Sequence, residues 1–320
     1  MGKDSGFADW IADRVPGGKG DGDHRTDLLI DRLVKHLDDI EDSPRSPGFH
    51  VSSLYDFCPR QKVLADRSPE DIKLWDPDAT LRVTLSVGTA IHSWLQDGVL
   101  GPAGLLLGKW KHLKNGQTIV GEQPSQSWGY VEPSMRVPVE GVPDAPEWHI
   151  VGSCDGILST GRAIEAKSCG PTAWPQLLEA YNRLRYVENW RTACGQDQIN
   201  GKRSHLADKY ARSHAFQLKI YLEGLDPEKD TDGRVKSLSG GIVFYVDKTT
   251  RKHKQTGAPF QEFSIRKDPA CLEAAKDKVR AVYRAEQENT LPFGVCSSRT
   301  CYKAKDCPVA NECFSTEGGP

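Results

Sequence analysis

The chain has 320 residues, 38% of them hydrophobic, and its 42 lysines and arginines against 44 aspartates and glutamates leave a formal charge of −2. That length suits one large domain or two modest ones, and so small a charge excludes an indiscriminate polycation, so any nucleic-acid binding has to come from local patches. No run approaches the roughly 18 to 20 apolar residues of a membrane span, and Met1-Gly2-Lys3-Asp4-Ser5 lacks the apolar core of a signal peptide, so the expectation is a cytoplasmic protein.

Residues 1–48 read as an appendage. Met1 to Asp23 is rich in Gly, Asp and Lys, Leu28, Leu29, Leu33, Val34 and Leu37 recur at helical spacing within Thr26 to Ile40, and Ser43-Pro44-Arg45-Ser46-Pro47-Gly48 breaks the pattern. A flexible tail, one amphipathic helix and a linker are expected, followed by one domain over 49–320. In that domain the spacing predicts a helix from about Val51 to Leu64 and a second from Ala79 through Val87, Ile91, Trp94 and Leu95, ended by Gly98 and Gly101-Pro102. Gly116 to Val139 alternates turn residues with short β-prone runs, as edge strands do.

Trp148 to Leu158 and Arg162 to Ser168 are strand-like, with Ser159-Thr160-Gly161 as a turn whose Gly takes the left-handed position. Centring that turn on Thr160 sets Leu158 opposite Arg162 and Asp155 opposite Glu165. Side chains alternate along a strand, so Asp155, Glu165 and Lys167 gather on one face. Gly170 to about Leu225 is helix-rich, Gly241 to Val246 is a continuous apolar run that fits a central strand, and Phe260 to Ile265 alternates like an edge strand. Asp268 as cap and Pro269 at the first position open a last long helix that ends near Asn289, before a cysteine-rich segment at about 291–315. The fold class expected is mixed α/β, a mixed central sheet flanked by helices.

Two carboxylates opposed across strands repel unless something positive lies between them, and a divalent metal answers that cost. Hard oxygen ligands suit Mg²⁺ or Mn²⁺, and Lys167 could orient or deprotonate a water or offset charge developing on a phosphate. An Asp-Gly step and an Ala-Glu-Ala-Lys-like step also occur on solvated hairpin faces, so the pair alone leaves a plain surface hairpin open. His92, four residues after Gly88, and Gln217 with Tyr221 at i and i+4 point toward the site reading when taken in order with the hairpin.

Nine cysteines, an odd number in a chain too long to need staples, favour reduced thiols or metal ligands over a disulfide framework. Cys296, Cys301, Cys307 and Cys313 crowd the end and Cys58 stands in Tyr55-Asp56-Phe57-Cys58-Pro59-Arg60; by spacing, zinc and an iron-sulfur cluster fit equally well. Cys154, Cys169, Cys194 and Cys271 have no ligand spacing and read as packing residues. Basic residues cluster at Lys202, Arg203, Lys209, Arg212 and Lys219 and at Lys248, Arg251, Lys252 and Lys254, either as solvated faces or as a track for phosphates. Tyr55, Tyr221 and Trp190 are candidates for stacking on bases.

Gly88-Thr89-Ala90-Ile91-His92, Gly152-Ser153-Cys154-Asp155-Gly156-Ile157, Ile164-Glu165-Ala166-Lys167 and Gln217-Leu218-Lys219-Ile220-Tyr221, in that order, resemble the His, Asp, Glu-x-Lys and Gln-x-x-x-Tyr motifs of the PD-(D/E)XK nucleases. The resemblance is to the RecB-like iron-sulfur exonucleases, the CRISPR-associated type and its phage relatives, and spans Tyr55 to Cys313. It implies a restriction-endonuclease-like core, with Mg²⁺ or Mn²⁺ on His92, Asp155, Glu165 and the Ala166 carbonyl, and Lys167, Asp155 and Glu165 in catalysis. It further implies DNA contacts from Gln217, Tyr221, Arg60 and Tyr55. A [4Fe-4S] cluster on Cys58, Cys301, Cys307 and Cys313 follows from it, with Cys296 as substitute, because the family's usual Cys-x-x-Cys gap is five residues here while Cys307-Pro308 keeps the final gap. The activity implied is exonucleolysis of single-stranded DNA ends, 5′ to 3′, in recombination, end processing or spacer acquisition, beside a helicase or recombination partner or in an oligomer. A non-catalytic DNA-binding module with structural zinc or Fe-S, or a structure-selective endonuclease on the same core, is the alternative.

Overall fold

The computed structural model describes residues 46–70, 72, 74, 77–170, 173–184, 204–248, 258–296 and 298–315. The expected tail and amphipathic helix lie outside the described residues, as do Trp190, Cys194, Lys202, Arg203, Arg251, Lys252 and Lys254. Contacts divide the chain into two units, Met1–Arg45 with Trp75–Thr89 and Ser46–Leu74 with Ala90–Pro320.

The larger unit begins with strand β1 (Phe49–His50), which runs into a one-turn helix α1 (Val51–Leu54), and α2 (Pro59–Arg67) follows. The sequence predicts one helix here. It breaks because Pro59 occupies the first turn of α2 and forces Cys58 into extended backbone, φ −107° and ψ 107°. Cys58 therefore sits in a loop between two helices.

Helix α3 (Ala79–Ser93) starts in the smaller unit, where Asp78 caps it by accepting the Leu81 N–H at 2.8 Å. Its last residues belong to the larger unit, where the helix widens into a π-helical segment, Trp94–Leu100, closed by the Gly101 N–H on the Gln96 carbonyl at 2.9 Å. Gly98 does not end it, contrary to the sequence expectation; the stop comes at Gly101-Pro102. Widened helical turns of this kind recur at functional sites.

Among the described residues seven strands make the main sheet: β2 (Leu106–His112), β3 (Thr118–Gly121), β4 (Trp128–Val131), β7 (Gly156–Leu158), β8 (Arg162–Cys169), β9 (Gly240–Asp247) and β10 (Phe260–Ile265). Along it the order is β10-β9-β8-β7-β2-β3, with β4 also on β2, and only β8 and β9 pair in parallel. A second, small sheet joins β1, β6 (Ile150–Ser153) and β5 (Ser134–Val137). Sequence reasoning missed β2, whose apolar alternation is interrupted by Gly108 and two lysines. It also joined β6 and β7 into one strand, whereas the chain leaves one sheet and enters the other at Cys154-Asp155.

Helix α4 (Ala173–Leu184), α5 (Ser204–Gly224), the single turn α6 (Pro227–Asp230) and α7 (Pro269–Glu288) complete the layer on one face of the main sheet, with α5 against β8, β9 and β10 and both α4 and α7 against α5. Ala215, Phe216, Leu218, Ile220, Tyr221 and Leu222 are all buried, so α5 is covered around its circumference and is the central helix of the core. On the other face Leu106, Trp110 and Ile164 pack with Phe244 and Leu158. Asp268 opens α7 as expected, yet its side chain does not cap the helix; its carboxylate accepts from Lys219 at 3.0 Å instead. Two short helices, α8 (Tyr302–Lys305) and α9 (Ala310–Ser315), form the cysteine-rich end.

Candidate functional site

The β7–β8 hairpin has the register its turn dictates: Gly156 pairs with Ile164 and Ile157 with Ala163, around a turn whose Gly161 has φ +75° and donates to the Leu158 carbonyl at 2.9 Å. Gly156 is required by close approach, since a Cβ there would lie 2.4 Å from Leu106 Cδ1. One step beyond the last pair, Asp155 and Glu165 come to the same end of the hairpin. Both are buried, 6% and 3% exposed, and at that depth each charge has to be matched.

Asp155 is held from three sides. The Ala166 N–H donates to its Oδ2 at 2.6 Å, His92 Nδ1 meets its Oδ1 at 2.9 Å, and Gln96 Nε2 donates to its carbonyl at 2.8 Å. Gln96 also donates to Glu132 Oε1 at 3.2 Å. Thus α3 and its π-helical extension supply a ligand-type side chain and, one turn later, the brace that orients two acids. His92, Glu132 and Asp155 each present an atom within 4.8 Å of the other two. Glu165 stands beside them: its Oε1 accepts from Lys167 Nζ at 2.6 Å, while its Oε2 is buried with no hydrogen-bond partner among the described residues. A buried carboxylate oxygen left open is the kind of atom a cation would satisfy.

The electrostatics agree. Burial raises the Glu165 carboxyl to about 7, with Asp155 adding to the rise and Lys167 and His92 opposing it. Burial and the Asp155 charge also raise Glu132. For His92, burial pulls down but the hydrogen bond and charge of Asp155 carry it above its ordinary value. Burial likewise pulls Lys167 down, and Glu165 and Asp155 more than offset that, so Lys167 is an ammonium. Three carboxyl groups facing one ammonium and one imidazole leave a surplus of negative potential fitted to a divalent cation.

Helix α5 closes the site from the sheet face. Gln217 and Tyr221 are hydrogen-bonded at 3.3 Å and buried, and the Tyr221 ring lies so close to β6 that a Cβ on Gly152 would come within 3.0 Å of it. Burial and then the Glu165 charge push the Tyr221 hydroxyl up, out of reach of ionisation. Tyr55 and Arg60 have other surroundings. Tyr55 packs edge-on to Phe216 with ring centroids 5.7 Å apart, and Arg60, 4% exposed, donates to the carbonyls of Cys313 and Pro292 at 3.1 and 3.5 Å. Both are buried, Tyr55 in the loop between α1 and α2 and Arg60 in the first turn of α2. Of the first basic cluster, Lys209 pairs with Asp56 at 2.8 Å and Lys219 with Asp268, while Lys248 of the second is exposed.

Cys58, Cys296, Cys307 and Cys313 line one pocket with Val309 and Phe314, and Cys301, 2% exposed, lies next to Cys296. Burial raises the thiols of Cys307 and Cys313, and burial together with the Cys301 contact pushes Cys296 up to about 12. Cys154, Cys169 and Cys271 are buried in the core, as read from the sequence. Glu132 and Gln96 are the site residues that sequence reasoning missed. Gln96 carried a signal, since it follows His92 at i+4; Glu132, alone before Pro133 in a connection between strands, carried none.

No family model matches the chain, and no curated protein does. Among solved structures it is similar to SSO0001, at 16% identity over 89% of this chain and 98% of that one, with a TM-score of 0.38. It is also similar to an alkaline exonuclease, LHK-Exo, from Laribacter hongkongensis, at 10% identity over 81% of this chain and 93% of that one, with a TM-score of 0.33. The same exonuclease in complex with dAMP gives 10% identity, coverages of 76% and 89%, and a TM-score of 0.32. Likenesses this distant carry no inference about chemistry.

Proposed function

We propose that this chain is a divalent-metal-dependent deoxyribonuclease that shortens single-stranded DNA from its ends, with 5′ to 3′ polarity, and that an iron-sulfur cluster pins its tail. What carries the reading is the hairpin end, where Asp155, Glu165 and Lys167 converge with His92 and Glu132 and one buried oxygen of Glu165 has no partner among the described residues. The motif order supports the nuclease assignment, the tail thiols the cluster.

His92, Asp155, Glu165 and the Ala166 carbonyl would hold Mg²⁺ or Mn²⁺, with Glu132 as a further carboxylate. Such an ion supplies Lewis acidity toward a phosphoryl oxygen. Lys167 stays protonated against Glu165 and offsets negative charge that builds on the phosphate. Ala166 N–H and Gln96 keep Asp155 from turning away, and Gln217 and Tyr221 bear on the strand at the sheet face. Cys58, Cys307 and Cys313, with a fourth tail thiol, would bind the cluster.

The test is one assay on end-labelled oligonucleotides and circular DNA with Mg²⁺, Mn²⁺ or chelator. The expected result is metal-dependent shortening of linear single strands, release of the 5′ label first and intact circles. Binding without shortening in either metal would overturn the reading in favour of a DNA-binding module, and nicked circles would mark an endonuclease.

A further inference from the structure

Five thiols stand at the cysteine corner, one more than a four-iron cluster uses, and the resemblance to the family implies Cys301 as the fourth ligand with Cys296 as its substitute. The structure separates them. Cys58, in the loop forced open by Pro59, faces the same pocket as Cys296 from the segment after α7, Cys307 from the turn between α8 and α9, and Cys313 from α9. Cys301 is not on that pocket wall. It opens α8, with its N–H on the Ser298 carbonyl at 3.1 Å and its carbonyl accepting from the Lys305 N–H at 3.2 Å, and it is buried, 2% exposed, next to Cys296 rather than on the pocket wall.

Ala304, Val309 and Phe314 shield the pocket with apolar atoms, the surroundings in which a cluster's hydrogen bonding and potential are set by its immediate neighbours.

We infer that the cluster ligands in this chain are Cys58, Cys296, Cys307 and Cys313, and that Cys301 is a packing thiol held against the ligand Cys296. This rests on the iron-sulfur part of the proposed function and does not depend on nuclease activity.

The test is metal content. The full chain and its single variants C58S, C296S and C301S are prepared without oxygen and measured for iron, acid-labile sulfide, zinc and absorbance near 400 nm, with circular dichroism to confirm folding. The expected result is about four irons and four sulfides per chain in the parent and in C301S, and loss of most of both in C58S and C296S. Iron kept by C296S and lost by C301S would overturn the assignment and restore the family's spacing. Iron kept by both, or lost by both in folded protein, would overturn it as well, since the two cysteines would then be equivalent. A parent that carries zinc and no iron would instead remove the iron-sulfur reading itself, whatever the variants do. Where C296S fails to fold, C296A reconstituted with iron and sulfide under reductant gives the same readout.

Discussion

The hairpin site and the cysteine corner are assembled in opposite ways. Asp155 and Glu165 are brought together by a tight turn and two short strands, so their geometry is local and follows from alternation and register. The cysteine corner joins distant segments: Arg60 reaches the carbonyl of Cys313 across 253 residues, and Lys303 contacts Asp56 across 247. The pair of acids at the hairpin end can be read from a few residues, although His92, Gln96 and Glu132 reach it only through the fold. A corner built from both ends of a domain exists only once the domain has closed, and its value to the fold is the closure itself.

Breaking each region separately should therefore give different phenotypes. The largest effect is expected from Lys167→Ala, which removes the ammonium from the site: DNA shortening falls at least about a hundredfold to a thousandfold, while the melting temperature stays near that of the parent, because Glu165 can take up a proton. Unaltered turnover in that variant would take Lys167 out of the mechanism. Cys58→Ser should do the reverse, lowering the melting temperature by several degrees and exposing residues 291–315 to limited proteolysis, with activity lost only as the fold loosens.

The pH dependence sharpens the comparison further. Glu165 binds a proton more tightly in the fold, at about 7, than an unfolded glutamate does, so the metal-free protein is favoured at low pH and loses stability as pH rises from the ordinary carboxylate range through about 7. Added Mg²⁺ should cancel that loss by taking the proton's place, which thermal melts at a series of pH values with and without the ion will read. A metal-free melting curve that rises over this window would contradict the burial of Glu165. A smaller change is expected from Gln96→Leu, which removes two hydrogen bonds at the acids and should cost about 1–3 kcal/mol by denaturant titration, with weaker Mg²⁺ affinity. Lys209→Ala, at a partly exposed ion pair with Asp56, should cost no more than about 1 kcal/mol.

What the sequence disclosed follows the same division. The register around Gly161, the alternation that puts Glu165 and Lys167 on one face, the apolar strand β9 and the start of α7 at Pro269 were legible because each depends on neighbours in the chain. The break before α2 was also written locally, in Cys58-Pro59, but the apolar spacing across it masked the proline. The small sheet was not legible, because the pairing of Phe49 with Ile150 is two residues long and joins segments with no shared pattern. Glu132 belongs to the same class: nothing near it in the chain reveals that folding will set it beside Asp155. The burial of Tyr55 and Arg60 was hidden for a related reason, since their neighbours are the distant residues Phe216 and Cys313.

The passage of one segment from β6 to β7 at Cys154-Asp155 has a consequence for how the gene can change. Asp155 lies at the seam, with one sheet fixing the residues before it and the other those after it, so a single-codon insertion or deletion between 150 and 158 would have to shift one sheet by a residue and send its inward side chains outward. The turn at 159–161, where no second sheet constrains the chain, is where length variation would be absorbed, and a library of such insertions should show tolerance rising abruptly past Leu158.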